Sequence, residues 1–366
     1  MSVGIGITGL AKSGRTTIFN TLTRSQADTG GYTPEAPHIG IAKVQDPRLK
    51  KLADMLKPQR VVPAEVKYLD IGASIKSLAK DTAISGECLT QLSSADALIN
   101  VVRAFTDESI PHIEGSVDVE RDIAEMDLEL AFSDLAVIER RLQRIETSLK
   151  SAKPDERQHL HREQELLGRI KAELEKDTPI RELSLTADEA RTIAGYQFLS
   201  AKPLLTVVNI GEDQIPQAKS LEERLNQRFS RAKHGVITLC GKLEMELVQL
   251  DEDTAEECRA EFGLTETGLD RTIKLSYELL GLITFFSTAS GEVRAWSIAG
   301  GTSALKAAGK IHSDMERGFI RAEVISYNDL LKCGSLAEGR KHGLLRLEGK
   351  NYIVQDGDVI TFLFNV

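Results

Sequence analysis

The stretch that most restricts the fold lies near the start, "VGIGITGLAKSGRTTIFNTLT", from Val3 to Thr23. An apolar run, Val3 to Thr8, leads into a loop with Gly9 and Gly14. Ile18, Phe19 and Leu22 then follow at helical spacing. Strand, glycine loop and helix in that order form the local context in which backbone wraps a phosphate. The glycines let successive N–H groups converge, and the helix points its positive end at the anion. The usual pattern is G-x-x-x-x-G-K-[ST]. Gly9, Gly14 and Thr16 meet it, but Arg15 holds the lysine position. The phosphate-side candidates are Gly9, Lys12, Ser13, Gly14, Arg15, Thr16 and Thr17. The Thr16 hydroxyl is the candidate ligand for Mg²⁺. Arginine keeps the charge of lysine, but its planar guanidinium is larger and does not substitute neutrally in a tight cradle. Lys12, within the loop, can add a second charge.

More strands are expected at Ala64–Asp70, Ala97–Phe105, Pro203–Asn209 and Gly235–Cys240. They are β-branched and separated by helix-like stretches, which predicts a mostly parallel sheet. Between the second and third of these, Leu128, Leu135, Ile138, Leu142, Ile145 and Leu149 keep a heptad-like spacing. Pro154 interrupts it, Leu160, Leu167, Ile170 and Leu174 resume it, and Pro179 closes it. This predicts two long helices folded back as a coiled-coil hairpin. Its Arg140, Arg141, Arg144, Arg157, Arg162 and Arg169 read either as a solvated face or as a surface for RNA or the ribosome. The last ninety or so residues hold short strand-like runs around the helical "SALKAAGKIHSDM", a small α+β unit with its own core.

At 366 residues the chain has room for two or three domains, and 41% hydrophobic residues can fill their cores. A net charge of −9 argues against a general nucleic-acid coat, though a local basic face remains open. Cys88, Cys240, Cys258 and Cys333 lie far apart without metal-ligand spacing and read as reduced thiols of a cytoplasmic protein. No signal-type stretch and no membrane span is expected. None of the seven histidines falls in the nucleotide motifs as a catalytic base.

Three further stretches carry a family likeness. They are "IGIAKVQDPRLKKLADML", "VVNIGED", and the C-terminal "AAGKIHSDMERGFIRAEVISYNDL" with "RLEGKNYIVQDGDVITFLFNV". Along essentially its whole length the chain resembles the YchF/Obg-like ATPases of the TRAFAC class. The resemblance implies an α/β architecture: a Ras-like nucleotide domain (1–117 and 186–279), an inserted coiled-coil hairpin (118–185) and a C-terminal TGS-like β-grasp domain (280–366). It also implies binding and slow hydrolysis of ATP in preference to GTP, and association with ribosomes.

Carried over residue by residue, the likeness places Arg15 at the family lysine and Lys12 at a family asparagine. Asp70-Ile71-Gly72 is one residue shorter than the family D-I-A-G, keeping Asp70 as a candidate Mg²⁺-linked carboxylate but displacing the glycine. Ala73 follows, where ordinary GTPases place a water-orienting Gln. Thr33 stands near the first-switch threonine, about one residue out of register, as a further Mg²⁺ candidate or an ordinary loop threonine. Asn209-Ile210-Gly211-Glu212 matches the family N-x-x-E, which replaces the guanine-reading N-K-x-D. Asn209 and Glu212 are thus base-side candidates, with a polar strand-end cap as the plainer reading of Asn209. Cys240 and Gly241 fall at the second base-side loop. In the C-terminal part, Lys310, His312, Arg317, Arg321 and Lys350 suit RNA or ribosomal contact or a structural role. Two functions stand side by side: a slow ATPase whose nucleotide state controls ribosome docking, or a non-hydrolysing docking module with a decayed site. GTP as the ligand also stays open, and the sequence does not assign an oligomeric state.

Overall fold

The computed structural model describes residues 3–24, 38–71, 83–229, 231–289 and 291–365. Its contacts divide the chain into two compact units. The first holds Gly4–Gly40 and Tyr68–Thr272; the second holds chiefly Ile41–Lys67 and Ile273–Val366.

In the first unit, β1 (Val3–Thr8) leads through the glycine loop into α1 (Arg15–Thr23). β2 (His38–Lys43) and β4 (Glu65–Asp70) are the strands through which the chain leaves and re-enters this unit. β5 (Ala97–Arg103), β6 (Leu204–Asn209) and β7 (His234–Leu239) complete a sheet of order β2-β4-β1-β5-β6-β7. The pairs β1–β5, β5–β6 and β6–β7 are parallel. β5 and β6 are buried along their whole length, which is why they read as unbroken apolar runs rather than alternating ones. Parallel strands put all their carboxyl ends on one edge, where ligands bind in such sheets.

Asp118 starts the hairpin by accepting from the amides of Glu120 and Arg121, and the long helix Val119–Leu149 follows. The first turn carries Glu120 and Asp122, matched to the helix dipole. Met126 and Leu130 pack with Leu98 and Leu204 of the sheet. Further along, Ile138 and Ile145 face Leu160, Leu167, Ile170 and Leu174 of the second helix, Pro154–Leu174. The heptad positions thus form the seam between the two helices, with Leu135, Leu142 and Leu149 packed half-buried along it and Leu128 outside this cluster. Buried Asp134 fixes the return of the chain by accepting from the amides of Leu199 (2.8 Å) and Ser200 (2.7 Å). Of the six hairpin arginines, Arg141 is bidentate on Glu163 and Arg169 pairs with Glu189; Arg140, Arg144, Arg157 and Arg162 are exposed.

The second unit has its own six-stranded sheet, ordered β11-β10-β12-β8-β9-β3. Its strands are β3 (Arg60–Val62), β8 (Leu282–Ala289), β9 (Glu292–Ala299), β10 (Phe319–Ser326), β11 (Arg346–Glu348) and β12 (Asp358–Phe364). The helix Ala304–Ile311 lays Ala304, Ala307 and Ala308 against Phe285, Val324 and Ile360. Here the observed grouping differs from the sequence-based boundary. Residues 41–67, assigned to the nucleotide part, pack with the C-terminal residues. α2 (Pro47–Leu56) buries Leu49 and Leu52 among Phe286, Val293, Ile325 and Val359, and β3 pairs parallel with β9. The hairpin, in turn, groups with the nucleotide part rather than standing as its own unit. Among the cations noted in the sequence, His312 caps a short helix through the Asp314 amide and Arg317 pairs with Asp314; Arg321 and Lys350 are exposed. No helix among the described residues is long and apolar enough to cross a membrane.

Candidate nucleotide-binding site

The loop after β1 takes the shape its glycines permit. Gly9, Lys12 and Gly14 have φ of 153°, 66° and 87°. A Cβ on Gly9 would lie 2.4 Å from the Val101 carbonyl oxygen, and one on Gly14 would lie 2.2 Å from Asn209 Nδ2. Neither position has room for a side chain. The first hydrogen bond of α1 runs from the Ile18 amide to the Gly14 carbonyl, 3.0 Å, so the Thr16 and Thr17 amides lie outside the helix's own ladder. The first turn of α1 has no acidic residue to compete for them. Ser13 is buried, while Lys12 is exposed at the loop crest.

Asn209, at the end of β6, ties this loop to the base side. Its Nδ2 donates to the Ser13 carbonyl (3.0 Å), and its Oδ1 accepts from the Gly241 amide (3.0 Å). With 4% of its surface exposed, Asn209 is a clamp between two loops. This favours the plainer sequence reading of its amide, and it commits the Gly241 amide to protein. Gly241 itself is crowded by Ile18 and Asn209, so it too has no space for a side chain. Cys240 precedes it as a buried cap residue, and burial pushes its thiol pKa upward. Glu212 sits at the surface in an ion pair with Lys242 (3.0 Å), a bond that raises the lysine pKa.

Sequence reasoning missed three residues that brace this edge. Arg103 Nε donates to the Phe105 carbonyl (3.1 Å), and its guanidinium lies 4.4 Å from the Phe105 ring centroid. The Ala104 and Phe105 amides both donate to the Asn209 carbonyl. Gln214 accepts from the Gly211 amide and donates to the Ala104 carbonyl. The signal available was an arginine and an aromatic, "VRAF", at the end of a mostly apolar strand.

Arg15 does not stand alone on the phosphate side. Its Nε lies 2.8 Å from Asp70 Oδ1, and its Nη1 donates to the Gly9 carbonyl, 3.2 Å. Thr16 Oγ1 donates to Asp70 Oδ2, 2.9 Å. Asp70 is 1% exposed, so this is a buried ion pair with a hydroxyl closing its far side. The structure therefore brings together the two expected Mg²⁺ ligands, Thr16 and Asp70, but with a guanidinium on the carboxylate. A divalent ion on that carboxylate at ~4 Å from the guanidinium meets repulsion of several kcal/mol at an effective dielectric near 20. As arranged, these side chains do not fit Mg²⁺. Thr33, Gly72 and Ala73 lie outside the described residues.

Comparisons with known proteins place the chain in a family. The curated "Ribosome-binding ATPase YchF" of Bacillus subtilis (strain 168) is 38% identical over the full length of both chains. The protein of that name from Escherichia coli O157:H7 is 37% identical, also over both full lengths. The chain belongs to the YchF family. The family profile YchF-GTPase_C, described as a protein of unknown function (DUF933), matches residues 282–365. The solved YchF GTPase of Schizosaccharomyces pombe superposes with a TM-score of 0.83 at 27% identity, covering 99% of this chain and 98% of that one. The YchF fold is thus that of the whole chain: a P-loop GTPase-like α/β part carrying a helical hairpin, and a C-terminal domain.

Proposed function

We propose that this chain binds a purine nucleotide, ATP in preference to GTP, and couples its occupancy to ribosome association in the cytoplasm. The observation that carries the reading is the Asn209 clamp. It ties the Ser13 carbonyl of the phosphate loop to the Gly241 amide of the base-side loop, which supports a nucleotide site built from these two loops. Loop amides at the start of α1 and the Arg15 guanidinium would meet phosphate oxygens. Lys12 would add charge from the crest. The Glu212–Lys242 pair would stand at the base edge, where the N-x-x-E form replaces the aspartate that accepts from guanine's paired N1–H and N2–H donors. The hairpin (118–185) and the C-terminal module (280–366) are the docking parts in this reading, since their exposed arginines and lysines suit an RNA-rich surface.

One observation favours a weaker enzyme than the family name implies. The buried Arg15–Asp70 pair withdraws charge from the place where hydrolysis is assisted. Turnover is accordingly slow or absent, while binding persists. The test is co-sedimentation of the full chain with ribosomes in the presence of ATP, ADP, GTP or no nucleotide, alongside phosphate release. Ribosome binding that changes with adenine nucleotide supports the reading. Ribosome binding indifferent to every nucleotide leaves only a docking module, and greater response to GTP than ATP overturns the base assignment.

A further inference from the structure

Resting on the nucleotide reading above, we propose that Arg15 takes the part of the divalent cation, so that the site accepts nucleoside di- and triphosphates without Mg²⁺. One ion pair and two hydrogen bonds carry the inference. One oxygen of Asp70 is held by Arg15 Nε at 2.8 Å, the other by Thr16 Oγ1 at 2.9 Å, and the outer end of the guanidinium rests on the Gly9 carbonyl at 3.2 Å. The guanidinium is therefore stretched between the carboxylate at the end of β4 and the first glycine of the loop. A lysine could not span them in this way. Its ammonium is a single point of charge, whereas arginine presents donors at several fixed positions on one plane.

Charge balance gives the consequence. The buried carboxylate that would call for a metal ion already has a cation on it, and that cation is covalently part of the loop. Its side chain is 11% exposed, so it is embedded in the wall of the site rather than free in solvent. Guanidinium is also suited to phosphate oxygens, which it meets through directed N–H donors. The polyphosphate then meets exposed Lys12, the amides at the start of α1 and the outer N–H donors of a guanidinium whose charge is balanced by Asp70, with no unpaired carboxylate to repel it. A bound ion bridging the terminal phosphates is not needed for affinity. The Arg15→Lys change keeps the charge but loses the fork that spans Asp70 and the Gly9 carbonyl, so the carboxylate is no longer held and the need for Mg²⁺ returns.

The experiment is calorimetric titration of the nucleotide-free full chain with ADP and with ATP, once in excess EDTA and once in millimolar Mg²⁺. For the native chain the affinities in the two media are expected to agree within about threefold. For Arg15→Lys, with folding checked by thermal unfolding, removing Mg²⁺ is expected to weaken binding by about tenfold or more. A native chain whose affinity falls tenfold or more in EDTA overturns the inference and leaves the nucleotide reading intact. No binding of either nucleotide in either medium overturns both. Should Arg15→Lys fail to fold, the native ratio alone decides.

Discussion

Asn209 Nδ2 donates to the Ser13 carbonyl oxygen across 3.0 Å, joining residues 196 positions apart in the chain. The other end of the same amide holds the Gly241 amide. In Asn209→Ala a buried acceptor and a buried donor both lose their partner. At ~1–3 kcal/mol for each group left unpaired, the variant is expected to lose about 2–6 kcal/mol of stability. Denaturant unfolding measures this. Nucleotide affinity is expected to fall with it, because the phosphate loop loses its anchor to β6. A variant as stable as the native chain would mean that the two loops hold their places without the clamp.

Gly14→Ala attacks the same clamp from the opposite side. The new Cβ would lie 2.2 Å from Asn209 Nδ2, at a backbone φ of 87° that a side chain tolerates poorly. Conformational strain of ~1–3 kcal/mol is expected together with displacement of the Asn209 amide. The two substitutions share one contact, so the double variant Gly14→Ala/Asn209→Ala should cost less than the sum of the singles. Additive losses, read from a double-mutant cycle, would separate the glycine from the clamp.

Much of this edge was legible in the order of residues, and what was not legible has a common cause. The loop could be read because all its signals are local: β1, two glycines and the helical spacing of Ile18, Phe19 and Leu22 occupy one short run. The hairpin was legible for the same reason, since one heptad pattern serves both helices. Arg15 was legible as a departure from lysine, but not its destination, because Asp70 is brought beside it only by the pairing of strands in the sheet. Residues 41–67 are the clearest loss. Leu49 and Leu52 give an amphipathic helix its apolar face without saying which core it joins, and the three residues of β3 carry no mark of the strand they pair with. β8, "LITFFSTA", went unread although it is rich in β-branched and aromatic residues.

His234 gives the first unit a pH dependence of known sign. It is buried at the start of β7 with Nε2 3.0 Å from Thr206 Oγ1. Burial, and then the Arg181 guanidinium, pull its pKa from 6.5 to about 4; Arg231 adds to this and Asp127 opposes it. The unfolded chain thus binds the proton more readily. The stability tied to neutral His234 is full above pH ~6.5 and is lost as pH falls toward ~4, by up to about 3 kcal/mol. His234→Gln cannot titrate. The difference in unfolding free energy between the native chain and this variant should therefore shrink in favour of the variant across that window. A difference that stays flat from pH 7 to pH 4 would mean that another group carries the acid sensitivity.

The second unit offers a test of where its boundary lies, and it contains its own probe. Trp296 is the only tryptophan of the chain, and it sits on β9 with Nε1 donating to Ser287 Oγ at 2.9 Å. Its fluorescence reports this unit without interference from the other. Leu52 of α2 is fully buried beside Phe286, Val293 and Val359, although more than 230 residues separate it from them. Arg48 of the same helix bridges Asp46 and Asp356, and Asp356 in turn accepts from the Thr284 amide of β8. Leu52→Ala leaves a cavity in that core and is expected to cost ~2–5 kcal/mol in the transition followed by Trp296. A fragment of residues 280–366 alone is expected to expose the surface that α2 and β3 cover, and so to unfold at lower denaturant than Trp296 reports in the full chain. Equal midpoints for the fragment and the full chain, with Leu52→Ala silent at Trp296, would return residues 41–67 to the nucleotide part and restore the boundary read from the sequence.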